Sequence, residues 1–391
     1  MDRGNRTLSA QLTIFLRDFA IFFGIQLVVA LSLNLEYGYA GIPNFGKVLA
    51  VAGGAFTVGF LPGRVIAMLF NLGAGTDYIE NNTAIITQVN NLLMENPGIS
   101  LALFLGTLLA AAGVGAVLGW IASYPAIRLR EDYLSITLLA MGEAIQVIGY
   151  NYRPLIKGSL GVLVPDPFRW AGDQRYFIIV GIIMGICLLA LFYLEKLVKS
   201  PLGRMLRAIR DNENVAESLG KEVTQIRMKT LIIASALGAI AGAIDTFKAG
   251  GAHARGYQRV SWTFWPWVIV IMGGPANNVG VILGTFVFVA LRRVIDFYKI
   301  QLEQFVPFSV VWLHSLLIGI MLIVVLLFRP EGILREKPTR TLNLERFKKP
   351  VMGETMSTTT VGNLLQKIRA ILENIVKKIS TFFRKGLTKP N

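Results

Sequence analysis

Cysteine and histidine are scarce in this 391-residue chain, and their scarcity excludes several kinds of site. The single cysteine, Cys187, lies inside an apolar run, so no disulfide and no cysteine-based metal site can form within one chain. The two histidines, His253 and His314, are far apart in sequence and cannot support a His/Asp/Ser grouping. The motifs H-E-x-x-H and G-x-S-x-G do not occur. We therefore predict no metal site and no catalytic residues, and the chain is not expected to be an enzyme.

A nucleotide-binding site is also missing from the sequence. The stretch GIPNFGKV at 41–48 matches G-x4-G-K, but Val48 stands where a phosphate-binding loop needs Ser or Thr. Such a loop also follows a β-strand, whereas this stretch follows an apolar run. We expect no cofactor in this chain, and any ATP must be hydrolysed by a partner subunit.

Charged residues make up only 16% of the chain, against about 25% in an average soluble domain. Hydrophobic residues make up 53%, and the mean hydropathy is +0.55. These values indicate a membrane protein with several spans. The net charge of +15 is then interpreted as basic residues in cytoplasmic loops, with the lipid bilayer and not nucleic acid as partner.

Apolar runs recur along the chain and predict nine crossings. The predicted class is an all-α membrane bundle of about eight to ten spans with broken or re-entrant helices. Residues 1–335 form its transmembrane domain, and residues 336–391 form a basic cytoplasmic tail. The spans are expected near 12–35, 44–70, 99–122, 133–151, 176–194, 230–247, 263–274, 281–295 and 307–328.

The distribution of basic residues predicts the orientation. Loop 71–98 has no Lys or Arg and is assigned to the outside, whereas 195–229 has eight and is assigned to the inside. Alternation then puts the N-terminus outside and the C-terminus inside, in a plasma membrane. Loop 152–175, with four basic and two acidic residues, and the arginines near the N-terminus run against this assignment.

The tail contains apolar residues at helical spacing, with Lys and Arg between them. This pattern predicts an amphipathic helix at about 361–385. We expect it to lie on the inner membrane surface, with docking onto a partner subunit as the alternative.

Two polar interruptions fall within the apolar sequence. Segments 263–274 and 281–295 are both shorter than the ~20 residues of a full span and are joined by GGPANNVG. The stretch EYGYAGIPNFGK before the second span also combines Gly, Pro and Asn. Irregular backbone at this depth must be buried in protein or line a water-filled path.

For single ionisable residues within the spans, two interpretations of their role stay open. Glu143, mid-span, belongs to a pathway or makes a hydrogen bond between helices, and His314 is a buried neutral side chain or part of a proton relay. The candidate pathway residues are Glu143, Gly41, Pro43, Asn44, Gly273, Gly274 and Pro275.

The polar stretch 200–220 has the pattern of two short helices. Ser200 followed by Pro201 predicts a helix start, Asn212 a second start, and Gly220 a left-handed end. The first helix has an apolar stripe that includes Leu202, which predicts a docking helix that fills a groove on a partner.

Six stretches, in the order in which they occur along the chain, resemble LivM-type permeases, the membrane subunits of branched-chain amino acid ABC importers. They cover about residues 20–335. They are LALSLNLEYGYAGIPNFGKVLAVAGGAF, YPAIRLREDYLSITLLAMGEAIQVIGYN, SPLGRMLRAIRDNENVAESLGKEV, ASALGAIAGAI, VIMGGPANNVGVILGTF and FRPEGIL. The segment KGSLG at 157–161 departs from the Thr-Gly-Gly run of the family, which leaves urea or short amides as alternative substrates.

The resemblance implies a passive permease subunit that translocates branched-chain or related amino acids. It would pair with a second related permease, or a second copy of itself, and with two ATP-binding subunits. An extracellular solute-binding protein would deliver the substrate. Loop 196–229 would couple the bundle to the ATP-binding subunits, with contacts at Leu202, Arg204, Arg207, Ile209, Arg210, Glu217 and Gly220.

Two other classes of function stay open from the sequence. An ion-coupled secondary transporter would work alone and would need intramembrane carboxylates or histidines. A membrane anchor or scaffold would use its basic tail to hold partners.

Overall fold

The structure, a computed structural model, describes residues 2–73, 75–129, 131–299, 311–329 and 331–336. The predicted tail helix at 361–385 and the start of the predicted last span lie outside these residues.

Helices form almost all of the described structure. Short π-helical segments at Asn34–Tyr39 and Val260–Phe264 continue α1 and precede α11. The helices are α1 Asp2–Leu33, α2 Lys47–Leu69, α3 Asn82–Glu95, α4 Pro97–Arg128, α5 Glu131–Asn151, α6 Arg153–Ile156, α7 Arg175–Lys199, α8 Pro201–Asp211, α9 Glu213–Ser218, α10 Val223–Ala249, α11 Trp265–Gly273, α12 Asn278–Phe297 and α13 Val311–Phe328.

The prediction of an all-α membrane bundle is confirmed. Among the described residues, seven helices are long and apolar enough to cross a bilayer, and the apolar helices Val260–Gly273 and Ile318–Phe328 are shorter. The predicted shortness of segment 281–295 is wrong. Asn277 caps α12 by accepting a hydrogen bond from the Gly280 amide at 3.1 Å, so that α12 starts earlier and runs for 20 residues.

Helix α10 lies at the centre of the bundle and packs against α1, α2 and α4. Close approach of these backbones depends on small residues. A Cβ atom at Gly54 of α2 would overlap the carbonyl oxygen of Ala239, and one at Gly242 would overlap that of Val51. Small residues allow helices to associate in lipid by van der Waals contact, which explains the tight centre.

Three connections that the alternation of the predicted spans assigns to the outside meet at one end of the bundle. Loop 71–98, predicted as a polar loop, contains α3, because Ile85, Val89 and Leu93 share one helical face and are buried against the end of α2. Asn82 of α3 accepts a hydrogen bond from the Leu163 amide at 2.7 Å. Residues 162–163 (β1) pair antiparallel with 251–252 (β2), with Val162 opposite Ala252.

The segments that the predicted topology assigns to the inside meet at the opposite end. These are the break after α1, the loop with α8 and α9, the turn between α11 and α12, and residues 331–336. Loops with the same predicted side therefore lie together, while the direction of the bundle in a membrane stays a prediction.

Candidate coupling site

The predicted caps of the two short helices are present. The Ser200 hydroxyl accepts a hydrogen bond from the Leu202 amide at 3.2 Å, and Pro201 is the first residue of α8. The Asn212 side chain accepts from the Val215 amide at 3.1 Å and starts α9. Gly220 follows α9 with a φ of 74°, the left-handed conformation expected there.

The apolar stripe of α8 faces this chain and not a partner. Leu206 is 1% exposed and Ile209 is 3% exposed within the bundle, and Leu202 is half-buried against the same core. The argument that the stripe fills a groove on another protein is therefore wrong, because the groove belongs to the chain itself.

The opposite side of the pair of helices is free in the described chain. Arg204, Glu217 and Gly220 are exposed, and so are two apolar side chains, Val215 at 54% and Leu219 at 71%. Large apolar side chains on an exposed, polar segment are typical of contact surfaces. Neither was predicted as a contact residue, although a usable signal was present, since Val215 lies in α9 and Leu219 directly follows it within the polar stretch.

Arg207 and Arg210 turn back into the bundle. Arg207 Nη2 donates to the carbonyl oxygen of Val198 at 3.1 Å, and its guanidinium lies 5.8 Å from the Tyr39 ring centroid. Arg210 Nη1 donates to the carbonyl oxygen of Gly38 at 2.6 Å. These contacts attach α8 to the end of α7 and to the π-helical segment that continues α1.

The polar interruption EYGYAGIPNFGK at 36–47, called the first break, lies directly against α8, and GGPANNVG at 273–280 is called the second break. Gly41 has a φ of 71°, and a Cβ atom there would lie 3.0 Å from Cγ of Arg210. Only glycine combines this left-handed backbone with so close an approach. A displacement of α8 therefore acts on the break without an intervening element.

The two breaks, far apart in sequence, touch each other. Asn34 Nδ2 donates to Asn278 Oδ1 at 3.0 Å, and Asn34 Oδ1 accepts from the Ala276 amide at 2.9 Å. Asn278 Nδ2 donates to Glu195 Oε2 at 2.9 Å, which adds the end of α7 to the same network. The ends of α1, α7 and α12 are thus joined by three buried or half-buried side chains.

Residues 331–336, from the FRPEGIL motif onward, close this network. The Ile333 amide donates to the Met272 carbonyl at 2.9 Å, and the Leu334 amide to the Gly273 carbonyl at 3.1 Å. Gly274 has a φ of 109°, and a Cβ atom there would overlap the carbonyl oxygen of Leu334. Glu336 Oε2 accepts from Arg210 Nη2 at 2.8 Å, so that the segment also contacts α8.

A cavity of about 450 Å³ opens where these segments meet. The structure thus brings together Arg210 from the predicted coupling residues with Gly41 and Pro275 from the predicted pathway residues. The residues that line the cavity are Tyr37, Gly38, Gly41, Arg210, Pro275, Glu331, Arg335 and Glu336.

A buried ion pair lies behind the first break. Lys47 Nζ is 3.1 Å from Glu36 Oε2 and donates to the carbonyl oxygen of Ala234 at 3.1 Å, and both charged side chains are fully buried. Asn44 Nδ2 also donates to Glu36 Oε2, at 3.2 Å. Asn44, predicted for the pathway, is 4% exposed, and Pro43 beside it is half-buried.

This ion pair was not predicted from the sequence. The available signal was a pair of opposite charges at the ends of two apolar runs, one on each side of a break. Buried charges in proteins are paired, so each could have indicated the other.

Glu143 lies apart from this cluster. Its Oε1 is 3.4 Å from Nη1 of Arg259, in the segment before α11, and both side chains are half-exposed. The structure therefore places this residue in an ion pair that lies outside the cluster.

The chain matches the family model described as the permease component of branched-chain amino acid transport systems over residues 15–326. It is 37% identical to the probable branched-chain amino acid transport permease protein LivM of Methanocaldococcus jannaschii, over 85% of this chain and 97% of that protein. It is 22% identical to the high-affinity LivM permease protein of Salmonella typhimurium, over 81% of this chain and 69% of that protein.

A second kind of relative, the LivH permease protein of Salmonella typhimurium, is 23% identical over 61% of this chain and 72% of its own length. The family match extends over most of the chain and includes both breaks and the α8–α9 segment. The chain therefore belongs to the family of permease components of branched-chain amino acid transport systems, and within it to the LivM type.

Proposed function

We propose that this chain is the permease subunit of an ATP-binding-cassette importer for branched-chain or related amino acids. It pairs with a second, related permease of the LivH kind, and two ATP-binding subunits supply the energy. An extracellular binding protein delivers the substrate. The names of the relatives support the substrate class and the permease partner.

The observation that carries the coupling role is the direct contact of α8 with the first break. Arg210 holds α8 to the Gly38 carbonyl, and the α8 backbone lies against Gly41. Through Asn34 and Asn278 the first break is tied to the second. A push on α8 from the cytoplasm would thus reach both breaks, which is the linkage that ATP-driven rocking of a bundle requires.

The surface that receives the push is the exposed side of α8 and α9. Arg204, Glu217 and Leu219 lie there, are exposed, and do not belong to the packed core of the bundle. Arg207, Ile209 and Arg210 face the bundle instead, and they transmit the movement from α8 to the ends of α1 and α7.

Docking is tested by the substitution Leu219→Glu, which puts a charge on the exposed surface and leaves the core unchanged. We expect the ATP-binding subunits to be lost in a pull-down of the membrane complex. Leu160→Glu is the matched control, because Leu160 is 73% exposed at the other end of the bundle. Retention of the ATP-binding subunits by Leu219→Glu would contradict the docking surface.

Uptake into proteoliposomes separates the proposal from its rivals. The complete importer should accumulate leucine only with ATP and the binding protein. Uptake by this chain alone under an ion gradient would instead indicate a secondary transporter. ATP-dependent uptake of urea or a short amide without leucine uptake would correct the substrate, and no uptake by any combination would leave a scaffold.

A further inference from the structure

Glu143 and Arg259 are two opposite charges that the coupling site does not use. Their closest atoms, Oε1 and Nη1, are 3.4 Å apart. Glu143 belongs to α5, whereas Arg259 lies in the irregular segment between β2 and the π-helical turn at Val260. The pair thus joins a long helix to non-helical backbone.

Both residues lie at membrane depth. Glu143 is ~12 Å from Asn151 and ~18 Å from Glu131 along α5, at a rise of 1.5 Å per residue. Arg259 directly precedes the helical segment Val260–Gly273, which extends ~21 Å to the end of the bundle where the breaks meet. Because the hydrocarbon layer is ~30 Å thick, neither position reaches its edge.

The pair is open on the surface of the chain. Glu143 is 38% exposed and Arg259 is 50% exposed, and neighbouring turns of α5 expose Ile136 and Val147. A charge that faces hydrocarbon is costly, and intramembrane charges face a polar interior or a water-filled cavity. This face of α5 therefore borders a polar space and not lipid.

We propose that Glu143 and Arg259 form a binding site for the zwitterionic end of a free amino acid on the translocation path. The Glu143 carboxylate accepts hydrogen bonds from the α-ammonium group, and the Arg259 guanidinium donates to the α-carboxylate. The inference rests on the proposed function and assigns two contact residues and a chemical class to its path.

The geometry of the pair suits an exchangeable site. The distance of 3.4 Å is longer than the ~2.7–2.9 Å of a strong charge-assisted hydrogen bond. Each charge can thus leave its partner for the complementary group of a zwitterion, and no charge is left unpaired during the exchange. The exposed side chains Val147, one helical turn after Glu143, and Val260, which directly follows Arg259, provide apolar surface for an aliphatic side chain.

The same pair disfavours the alternative substrates. Urea and short amides are neutral and do not replace the ion pair charge for charge, so their entry would leave both charges with weaker partners. A zwitterion replaces both interactions in kind. The pair therefore supports amino acids over urea among the substrates that the resemblance left open.

The test uses the complete importer in proteoliposomes, with radiolabelled leucine as the probe. Glu143→Gln and Arg259→Gln should each lower leucine uptake per ATP hydrolysed about tenfold, since each removes one charge-assisted contact. ATP hydrolysis stimulated by the loaded binding protein should be unchanged, because the coupling site is distant. Glu143→Asp and Arg259→Lys should keep most of the uptake. Asp18→Asn is the matched control, because Asp18 is also 38% exposed and ion-paired, with Arg17.

The double variant Glu143→Gln with Arg259→Gln separates binding from a structural role. If the pair only holds α5 to the neighbouring segment, neutralising both partners should restore uptake, since neither charge is left unpaired. Restored uptake, or normal uptake in the single variants, would overturn the inference. Absence of ATP-dependent leucine uptake by the unmodified importer would overturn the proposed function itself, and the inference with it.

Discussion

The buried ion pair between Lys47 and Glu36 provides the sharpest test of how the bundle is held together. The substitution Lys47→Met keeps the aliphatic stem and removes the ammonium group. Glu36 is then fully buried, with Asn44 as its remaining donor on Oε2 and with Oε1 unbonded. The Ala234 carbonyl loses its contact with the ammonium group as well.

The expected loss follows from the burial of the charge that stays behind. Breaking a fully buried pair by removing one partner costs about 3–5 kcal/mol, because the other charge is left uncompensated. For a chain of this size we expect a drop in the midpoint of thermal unfolding of about 6–10 °C. The midpoint can be measured in detergent as the monodisperse fraction that survives heating.

Two further variants make this prediction refutable. Adding Glu36→Gln to Lys47→Met should recover most of the loss, because the amide accepts from Asn44 without a charge. Lys199→Met is the control, since its pair with Glu195 is exposed and contributes at most about 0.5 kcal/mol. A Lys47→Met protein as stable as the unmodified chain, or a double variant no better than the single one, would refute the reasoning.

Two glycine substitutions, Gly41→Ala and Gly274→Ala, test the contacts of the breaks. Gly250→Ala is the control for Gly41→Ala, because both put a side chain at a φ of 71°, which destabilises the fold by about 1 kcal/mol each. Only the Cβ atom at position 41 would contact Arg210, whereas the one at position 250 meets open space. Gly41→Ala should therefore lower ATP hydrolysis stimulated by the binding protein, and equal effects of the two would contradict the contact of α8 with the break. Gly274→Ala should destabilise by more than about 2 kcal/mol in the heating assay, because its Cβ overlaps the Leu334 carbonyl, and a neutral result would count against that packing.

Local sequence rules predicted the short helices well. The caps at Ser200, Asn212 and Gly220 depend on hydrogen bonds within three residues and on one backbone conformation, so neighbouring residues suffice to predict them. The same holds for most spans, whose length and apolar content are properties of a continuous stretch. The start of α12 was not predicted correctly, because its cap, Asn277, lies inside GGPANNVG, whose Gly, Pro and Asn residues are typical of a break between helices.

The direction of the α8 stripe could not be predicted in the same way. A helix shows the same apolar periodicity whether the groove that it fills belongs to its own chain or to a partner. Leu206 and Ile209 are covered by the chain's own bundle, and only the packed structure decides this.

Composition and the pattern of apolar runs are enough to predict an all-helical membrane bundle, the position of most of its helices, and the two breaks and the charged helical loop that interrupt it. Only the packing of the helices brings these three features into one site. Asn34 and Asn278, and Lys47 and Ala234, are neighbours in space but lie far apart along the chain. Such contacts result from the packing of many helices at once, and no local pattern of residues encodes them.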